Sequence, residues 1–376
     1  MQTHFDLNAL ARPEISAADE ILRKCVHCGF CTATCPTYVL TGDERDSPRG
    51  RIWMMRDLLG GGDKHTDIKP ADVSYHLDRC LTCLSCMTTC PSGVDYMHLV
   101  DIGRAEINKK IRRGFADHVI RTLLSITVPF ARRFHLALRF ARLAKPFSGL
   151  LTGRLKAMVN LSPTRLQALD EVGSKDQLYP AETSVGTRVM LLSGCAQRAL
   201  DPEINASTIR LLNRHGVDVV VRSQATCCGG LAHHINAEDA AHKQMEVVCS
   251  AWANDIASGQ LDAIIVNTSG CGTTLKDYGN LMSGNSRHSE TARKISDLTM
   301  DISEYLNGKM VLPTLAKQNI TIAYHAACSL QHGQKVLRAP RALLAQAGFE
   351  VKTPSESHLC CGSAGVYNVL QPELSQ

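Results

Sequence analysis

Residues 25–36, CVHCGFCTATCP, and residues 80–91, CLTCLSCMTTCP, set four cysteines at identical intervals and close each run with a proline. Both fit C-x₂-C-x₂-C-x₃-C-P. Two intervening residues let the backbone curl so that successive thiolates face one centre, and three of them hold three irons of a cubane. The fourth cysteine, beyond the longer gap, points away and in two-cluster proteins ligates the other cluster. On that rule cluster 1 takes Cys25, Cys28, Cys31 and Cys90. Cluster 2 takes Cys80, Cys83, Cys86 and Cys35, with Pro36 and Pro91 as structural residues of the motifs. The pattern predicts two [4Fe–4S] clusters in one small module. Zinc is the competing reading, because C-x₂-C also serves tetrahedral zinc. Zinc takes its four ligands as two pairs and has no use for a third thiol or for the proline. With every iron already bound to a thiolate, the clusters read as a wire for single electrons, and no catalytic residue is assigned to the chain.

Sixteen cysteines in 376 residues fall below the roughly 8–10% of a small disulfide scaffold. The first twenty residues include His4, Asp6, Arg12, Glu14, Asp19 and Glu20 and lack the apolar core of a secretory signal. A reducing cytoplasmic setting follows, in which clustered cysteines bind metal more often than they pair. No uninterrupted apolar run approaches the roughly 18–20 residues that span a bilayer. Between Arg104 and Lys156 thirteen Lys/Arg face only Glu106 and Asp117. That segment reads as a solvated face, as a dock for a partner subunit, or as a surface lying on anionic lipid. Nucleic acid is disfavoured, since no recognition motif accompanies the charge.

Downstream the pattern turns to β-α-β alternation, which argues for a parallel α/β sheet. RVMLLSGC, VDVVVRS and DAIIVNTSGC read as strands. A helix over DPEINASTIRLLNRHG is expected to be capped by Asp201 and stopped by Gly216, and one over ISAADEILRK to be capped by Ser16. A second block repeats the first: 31 residues separate Cys195 from Cys227, and 31 separate Cys328 from Cys360, each spacing ending in Cys-Cys-Gly. Adjacent cysteines are poor partners for each other and suit one metal centre, with Gly229 and Gly362 allowing close backbone approach. Cys195, Cys227, Cys228 and Cys271 are therefore candidate ligands of a third iron–sulfur cluster. Cys328, Cys360 and Cys361 lack a fourth partner and are not expected to hold one. Cys249 reads as core, and His233, His234, His325 and His332 as packed histidines near the motifs.

The expected organisation is α+β and α/β. A helical two-[4Fe–4S] ferredoxin-like domain covers 1–100 and a basic helical connecting segment 101–185. A first Cys-Cys-Gly domain covers 186–280, a linker 281–318, and an incomplete second Cys-Cys-Gly domain 319–376.

ILRKCVHCGFCTATCPTYVLTGDERDSPRGRI and HLDRCLTCLSCMTTCPSGVDY, with the Cys-Cys-Gly blocks behind them, resemble the iron–sulfur subunits of glycolate oxidase (glycolate dehydrogenase). These belong to a wider family that includes heterodisulfide reductase and lactate-utilisation proteins. The resemblance implies an oxidoreductase complex in which a partner flavoprotein carries FAD and oxidises a 2-hydroxy acid. This chain would pass the electrons towards quinone, peripherally at the cytoplasmic face of the inner membrane. In keeping with that, the sequence has no G-x-G-x-x-G after a strand and no P-loop. The alternative is a redox subunit of the heterodisulfide-reductase or lactate-utilisation kind, with a catalytic Cys-Cys-Gly iron–sulfur site.

Overall fold

The computed structural model describes residues 1–62, 68–169, 171–183 and 186–375. By compactness the chain forms two units, Met1–Phe115 with Ser355–Gln376, and Ala116–Pro354.

The first unit is helical. Helix α1 (Pro13–Lys24) starts at Pro13, whose fixed φ suits the first helical position, and carries Glu14 in its first turn and Arg23 and Lys24 in its last. Its cap is therefore Arg12 and not Ser16, which lies inside the first turns. Helices α2 (Pro36–Thr41), α3 (Pro48–Leu58) and α4 (Pro70–Asp78) also open on prolines. They are followed by α5 (Ser85–Thr89) and α6 (Tyr96–Lys110). Ile15, Ala18 and Leu22 of α1 pack with Met55 of α3, Leu77 of α4 and Leu99 of α6 in one core. Gly103 lets α6 approach closely, because a Cβ there would meet Met55 Sδ at 2.6 Å. The two cysteine runs lie in the loops and short helices between α1 and α2 and between α4 and α6. Residues from 355 onward belong to the same unit: Tyr367 Oη donates to the Arg79 carbonyl at 2.9 Å, and Ser85 Oγ to that of His358 at 3.3 Å.

The second unit opens with the basic helices α7 (Phe115–Thr127), α8 (Ala131–Ala144) and α9 (Gly153–Asn160). Its sheet has the order β1-β3-β2-β4-β5. Strands β2 (Thr187–Leu191), β3 (Val217–Val221), β4 (Ala263–Val266) and β5 (Thr299–Asp301) run parallel, and β1 (Gln177–Tyr179) pairs antiparallel to β3. Helix α10 (Glu203–Arg214) connects β2 to β3 and α11 (Glu238–Ala257) connects β3 to β4. Between the sheet and α11 lies a core around Trp252, Met245 and Tyr278, and the other side packs Ile209, Leu212, Tyr305 and Leu306. The sheet is thus covered on both faces, as its apolar parallel strands require.

Two local expectations shift. Asp201 terminates a short helix (Gln197–Leu200), its N–H donating to the Gln197 carbonyl, so α10 starts two residues later with Pro202 as its cap. Gly216, at φ +83°, follows the C-terminus of α10 as expected. Residues 281–318, read as a linker, carry α13 (Ser289–Leu298), β5 and α14 (Ile302–Lys309), and so supply the fifth strand. Helix α14 opens on a capping box between Asp301 and Glu304, a D-x-x-E signature inside that stretch. Strands β6 (Thr321–Ala323) and β7 (Glu350–Lys352), joined through α15 (Ala339–Gln346), form a separate two-stranded parallel sheet.

Cys249 lies fully buried beside Trp252 in the core under α11, and burial pushes its thiol up to about 12. Cys249→Ala is expected to cost about 1 kcal/mol through the small void it leaves. Cys249→Ser should cost about 1–3 kcal/mol through an unpaired buried hydroxyl. Both variants should keep full iron content, measured as iron per chain beside denaturant unfolding; loss of iron would make Cys249 a ligand.

Candidate metal centres

Each cysteine run curls through two left-handed residues at matching places. In the first they are His27 (φ 58°) and Gly29 (φ 83°); in the second, Thr82 (φ 51°) and Leu84 (φ 63°). Three of the four are not glycine, and a left-handed β-branched threonine is a genuine outlier. Such residues cost about 1–2 kcal/mol each and persist only where their surroundings hold them. Here the turned backbone aims N–H groups at sulfur. Thr82 N–H donates to Cys80 Sγ at 3.4 Å, and Cys25, Cys83 and Cys31 accept from the backbone of His27, Ser85 and Arg49. Two arginines pin the curls. Arg49 donates to the His27 carbonyl at 3.2 Å, while Arg104 donates to Thr82 Oγ1 and to the Cys80 carbonyl, both at 2.9 Å.

The fourth cysteine of each run precedes a proline, which disfavours helical backbone at that position. Cys35 (φ −91°, ψ 111°) and Cys90 (φ −74°, ψ 115°) are accordingly extended. Pro36 then starts α2, and Pro91 enters a turn. The consequence is an exchange. One cavity, of about 430 Å³ including its mouth, is lined by Cys25, Cys28, Cys31 and Cys90. A second, of about 320 Å³, is lined by Cys35, Cys80 and Cys83. Cys86, Pro48 and Tyr96 line both and form the shared wall.

The thiols stand apart. Among the described residues no three cysteine sulfurs lie within 4.8 Å of one another. At Zn–S distances of about 2.3 Å a tetrahedral zinc would draw its sulfurs to roughly 3.8 Å. As placed, the thiols do not form the sulfur tetrahedron of a single zinc ion.

A buried cation stands beside the second cavity. Arg51 is 1% exposed and donates to the His76 carbonyl at 2.8 Å, to Thr37 Oγ1 at 3.1 Å and to Cys35 Sγ at 3.8 Å. Asp46, fully buried, receives Arg51 at 3.4 Å, His76 Nδ1 at 2.8 Å and Arg79 at 2.6 Å. Asp43, Asp46 and His76 have a cation-site outline, but Arg45, Arg51 and Arg79 already neutralise the carboxylates. Burial opposes the charge of Arg51, yet Cys80, Tyr96, Cys35 and Asp46 outweigh it and keep the guanidinium protonated. Burial likewise pushes the Cys80 thiol up, but Arg51 and Arg104, with bonds from Thr82 and Tyr96, bring it below its ordinary value. Cys25, Cys31, Cys83 and Cys86 go the other way, chiefly through burial, Cys31 to about 11. Cys80 is thus the thiol of the two runs whose ionisation its surroundings ease, while these four give up protons as metal binds.

In the second unit the cysteines sit at the carboxyl edge of the sheet. Cys195 follows β2, Cys227 and Cys228 follow β3, and Cys271 lies in the first turn of α12 (Ser269–Lys276), after β4. Strand order reverses around β2, which is where ligands of open α/β sheets bind. The four thiols form two bonded pairs. Cys227 is hydrogen-bonded to Cys195, and this, with burial, raises it. Cys228 is hydrogen-bonded to Cys271, which lowers Cys228 and raises Cys271. Gly229, at φ +80°, has no room for a Cβ, which would meet the Ala241 carbonyl oxygen at 2.9 Å. A buried amide network fixes the loops bearing Cys195 and Cys271. Gln197 Nε2 donates to Asn205 Oδ1 at 2.5 Å and Asn267 Oδ1 at 2.9 Å, Asn205 Nδ2 donates to the Ser193 carbonyl at 2.8 Å, and Thr268 donates to Gln197.

The remaining cysteines of the second repeat fall in both units. Cys328 belongs to the second unit, while Cys360 and Cys361 belong to the first, where Cys360 is one of the charges that raise Cys83. His233 lies on a short helix beside exposed His234, His325 is exposed, and His332 is buried on a π-helical turn (Ser329–Gly333). Arg49, Arg51, Arg104, Asp46 and the amide network were not singled out from sequence. DERDSPRGR, which holds three of them, carries no ligand-spacing signature, and Arg104 counts in the sequence only as part of a basic segment.

Residues 24–94 match the family model of the 4Fe-4S dicluster domain, and residues 189–276 and 322–376 that of the cysteine-rich domain. The glycolate oxidase iron-sulfur subunit of Escherichia coli (strain K12) is 36% identical over all of this chain and 88% of its own length. The protein named "Probable glycolate oxidase iron-sulfur subunit" of Bacillus subtilis (strain 168) is 32% identical over 94% of this chain and 81% of its own. A fumarate reductase (CoM/CoB) subunit of Methanothermobacter marburgensis is 24% identical over 97% of the chain and 63% of its own length. No solved structure matches the chain. The N-terminal module accordingly carries [4Fe–4S] clusters.

Asp46→Ala leaves Arg51 without its buried counter-charge and is expected to cost about 3–5 kcal/mol. Asp43→Ala, on an exposed pair, should cost less than about 1 kcal/mol. Unfolding of the iron-loaded protein, followed at the visible absorption of the clusters, separates the two; equal losses would show that the buried charges carry no special weight.

Proposed function

As the chain belongs to the family of glycolate oxidase iron–sulfur subunits, we propose that it carries electrons from an FAD-containing 2-hydroxy-acid dehydrogenase subunit towards quinone. In this reading it works as an electron-transfer subunit of a heteromeric complex, peripherally at the cytoplasmic face of the membrane. The observation that carries the proposal is the pair of cavities with a common wall, each lined by three cysteines of one run and the fourth of the other. Cys25, Cys28, Cys31 and Cys90 hold cluster 1; Cys80, Cys83, Cys86 and Cys35 hold cluster 2. Bound there, the clusters supply one-electron chemistry.

The chain's own residues shape that chemistry. N–H groups from His27, Thr82, Ser85 and Arg49 point at sulfur, and such bonds raise a potential by stabilising the electron-rich state. Arg51 and Arg104 add positive charge at Cys35 and Cys80, on the side of cluster 2. A cluster held by Cys80, Cys83, Cys86 and Cys35 would therefore take up an electron more readily than one held by Cys25, Cys28, Cys31 and Cys90, with Cys86 and Tyr96 standing in the wall between the two sites.

Cys195, Cys227, Cys228 and Cys271 hold a third iron–sulfur cluster. Their gathering on three adjacent strand ends also supports a second reading, in which this site is itself catalytic, as in a heterodisulfide-reductase or lactate-utilisation type of redox subunit. Likeness to the fumarate reductase (CoM/CoB) subunit and to the lactate utilization protein A of Shouchella clausii is what favours it.

Cys25→Ser and Cys83→Ser should each reduce reconstituted electron transfer, from flavoprotein partner to a quinone analogue, to the rate seen without the chain. Full turnover in either variant would remove the wire. Cys228→Ala should lower iron content while leaving the paramagnetic signals of both N-terminal clusters. If it also leaves turnover intact, the catalytic reading fails; if iron is unchanged, the third cluster fails. Arg51→Gln is expected to lower the midpoint potential of one cluster and not the other, read by potentiometric titration.

A further inference from the structure

Helix α8 carries an apolar stripe on its outward side. Leu136, Phe140 and Leu143 follow one another at i, i+4 and i+7 and are 52%, 64% and 72% exposed. Ala131, His135 and Leu138 occupy the buried side, so the helix is already seated in the fold without them. On α7, Leu123 and Ile126, with Phe130 just beyond its end, repeat the arrangement at i, i+3 and i+7 and are also exposed. Arg133 ties the two together, donating to the Ile126 carbonyl at 3.0 Å with its guanidinium 4.4 Å from the Phe130 ring. Arg132 and Arg139 flank the α8 stripe. From His118 to Leu169 the sequence has nine Lys/Arg and no acidic residue, and Asp117 just before it is bound by Arg121 and Arg154.

An exposed ridge of leucine and phenylalanine of this kind marks a surface that meets another apolar phase. We propose that this ridge is the site by which the chain lies on anionic lipid, α8 in the plane of the interface with Leu136, Phe140 and Leu143 among the acyl chains. Arg132 and Arg139 flank it and reach headgroup phosphates along their aliphatic stems. Charge complementarity selects lipid over protein. Headgroup phosphates neutralise a one-signed arginine border at any lateral register, whereas a protein partner would need a dedicated acidic trough around an apolar groove. No described helix is long and apolar enough to cross a membrane. The inference deepens, and rests on, the peripheral membrane placement proposed above. Its test reads binding and not electron flow, so each can fail alone.

The iron-loaded full chain is sedimented with vesicles of phosphatidylglycerol and phosphatidylcholine in equal amounts, and with vesicles of phosphatidylcholine alone. Binding is expected to the anionic vesicles and to weaken with salt. Arg132→Gln with Arg139→Gln should weaken it about thirtyfold, at about fivefold per neutralised arginine. Phe140→Glu with Leu143→Glu should weaken it at least about a hundredfold. All four side chains are exposed, and an unchanged visible spectrum and thermal transition would confirm that the variants fold. Equal binding to neutral vesicles, unchanged binding by either variant, or no binding by the parent chain overturns the proposal. If the glutamate variant instead loses its hold on the purified flavoprotein partner while no vesicle binds the parent, the ridge is a protein dock.

Discussion

Two prolines impose the constraint on which the N-terminal unit depends. Pro36 and Pro91 hold Cys35 and Cys90 in extended backbone, so each of these cysteines leaves the curl that delivers the other three of its run. A cysteine that continued the curl would line its own cavity and close each run on itself. Because it does not, each cavity is completed by a cysteine of the other run, far away in the chain, and neither can form until both runs are in place. The helices between the runs, α2 to α4, then serve as a spacer of fixed length, set on the core of α1, α3 and α6.

That interdependence brings charge into the interior. The cysteines that line each cavity would bring negative charge as thiolates, and the low dielectric of the unit magnifies every nearby charge. The fold answers with buried guanidinium groups. Arg51 and Arg104 do what a neutral donor could not: they pin carbonyls and, at the same time, offset thiolate charge at Cys35 and Cys80. Asp46 then prevents the opposite excess by accepting Arg51, Arg79 and His76 together. The buried guanidinium groups bear most directly on the second cavity, where Arg51 reaches Cys35 and, with Arg104, acts on Cys80.

Sequence made part of this legible and hid the rest for physical reasons. Cysteine spacing is a local code, so the eight cysteines that line the two cavities, and the strands ending near Cys195, Cys227 and Cys271, could be read directly. The prolines could be read because their backbone preference is intrinsic. Arg51 could not: a buried arginine looks like any surface arginine until its partners, here 25 positions away at His76, are brought to it. β5 was hidden because three residues carry too short a period to register between two helices. Arg104 was misjudged by addition, since a charge count over a segment cannot distinguish a cation committed to a carbonyl cage from one facing solvent.

Arg104 also bears on how the basic segment is understood. Of the thirteen cations between Arg104 and Lys156, Arg104 serves the cysteine loop, Arg113 is bound to Asp78, and Arg121 and Arg154 hold Asp117. These are structural and contribute little to a long-range field, because their partners cancel them. The described pairs leave Arg132, Arg139 and Arg142 on α8 without a carboxylate, and Arg132 and Arg139 lie one turn before Leu136 and Leu143, beside the apolar stripe. A helix kept merely soluble would disperse its arginines among leucines and pair them at i, i+4 with acids, as Arg293 and Asp297 do on α13. The charge of α8 is instead one-signed and set beside its exposed apolar side chains, which is the arrangement that a two-phase boundary, and no single solvent, stabilises.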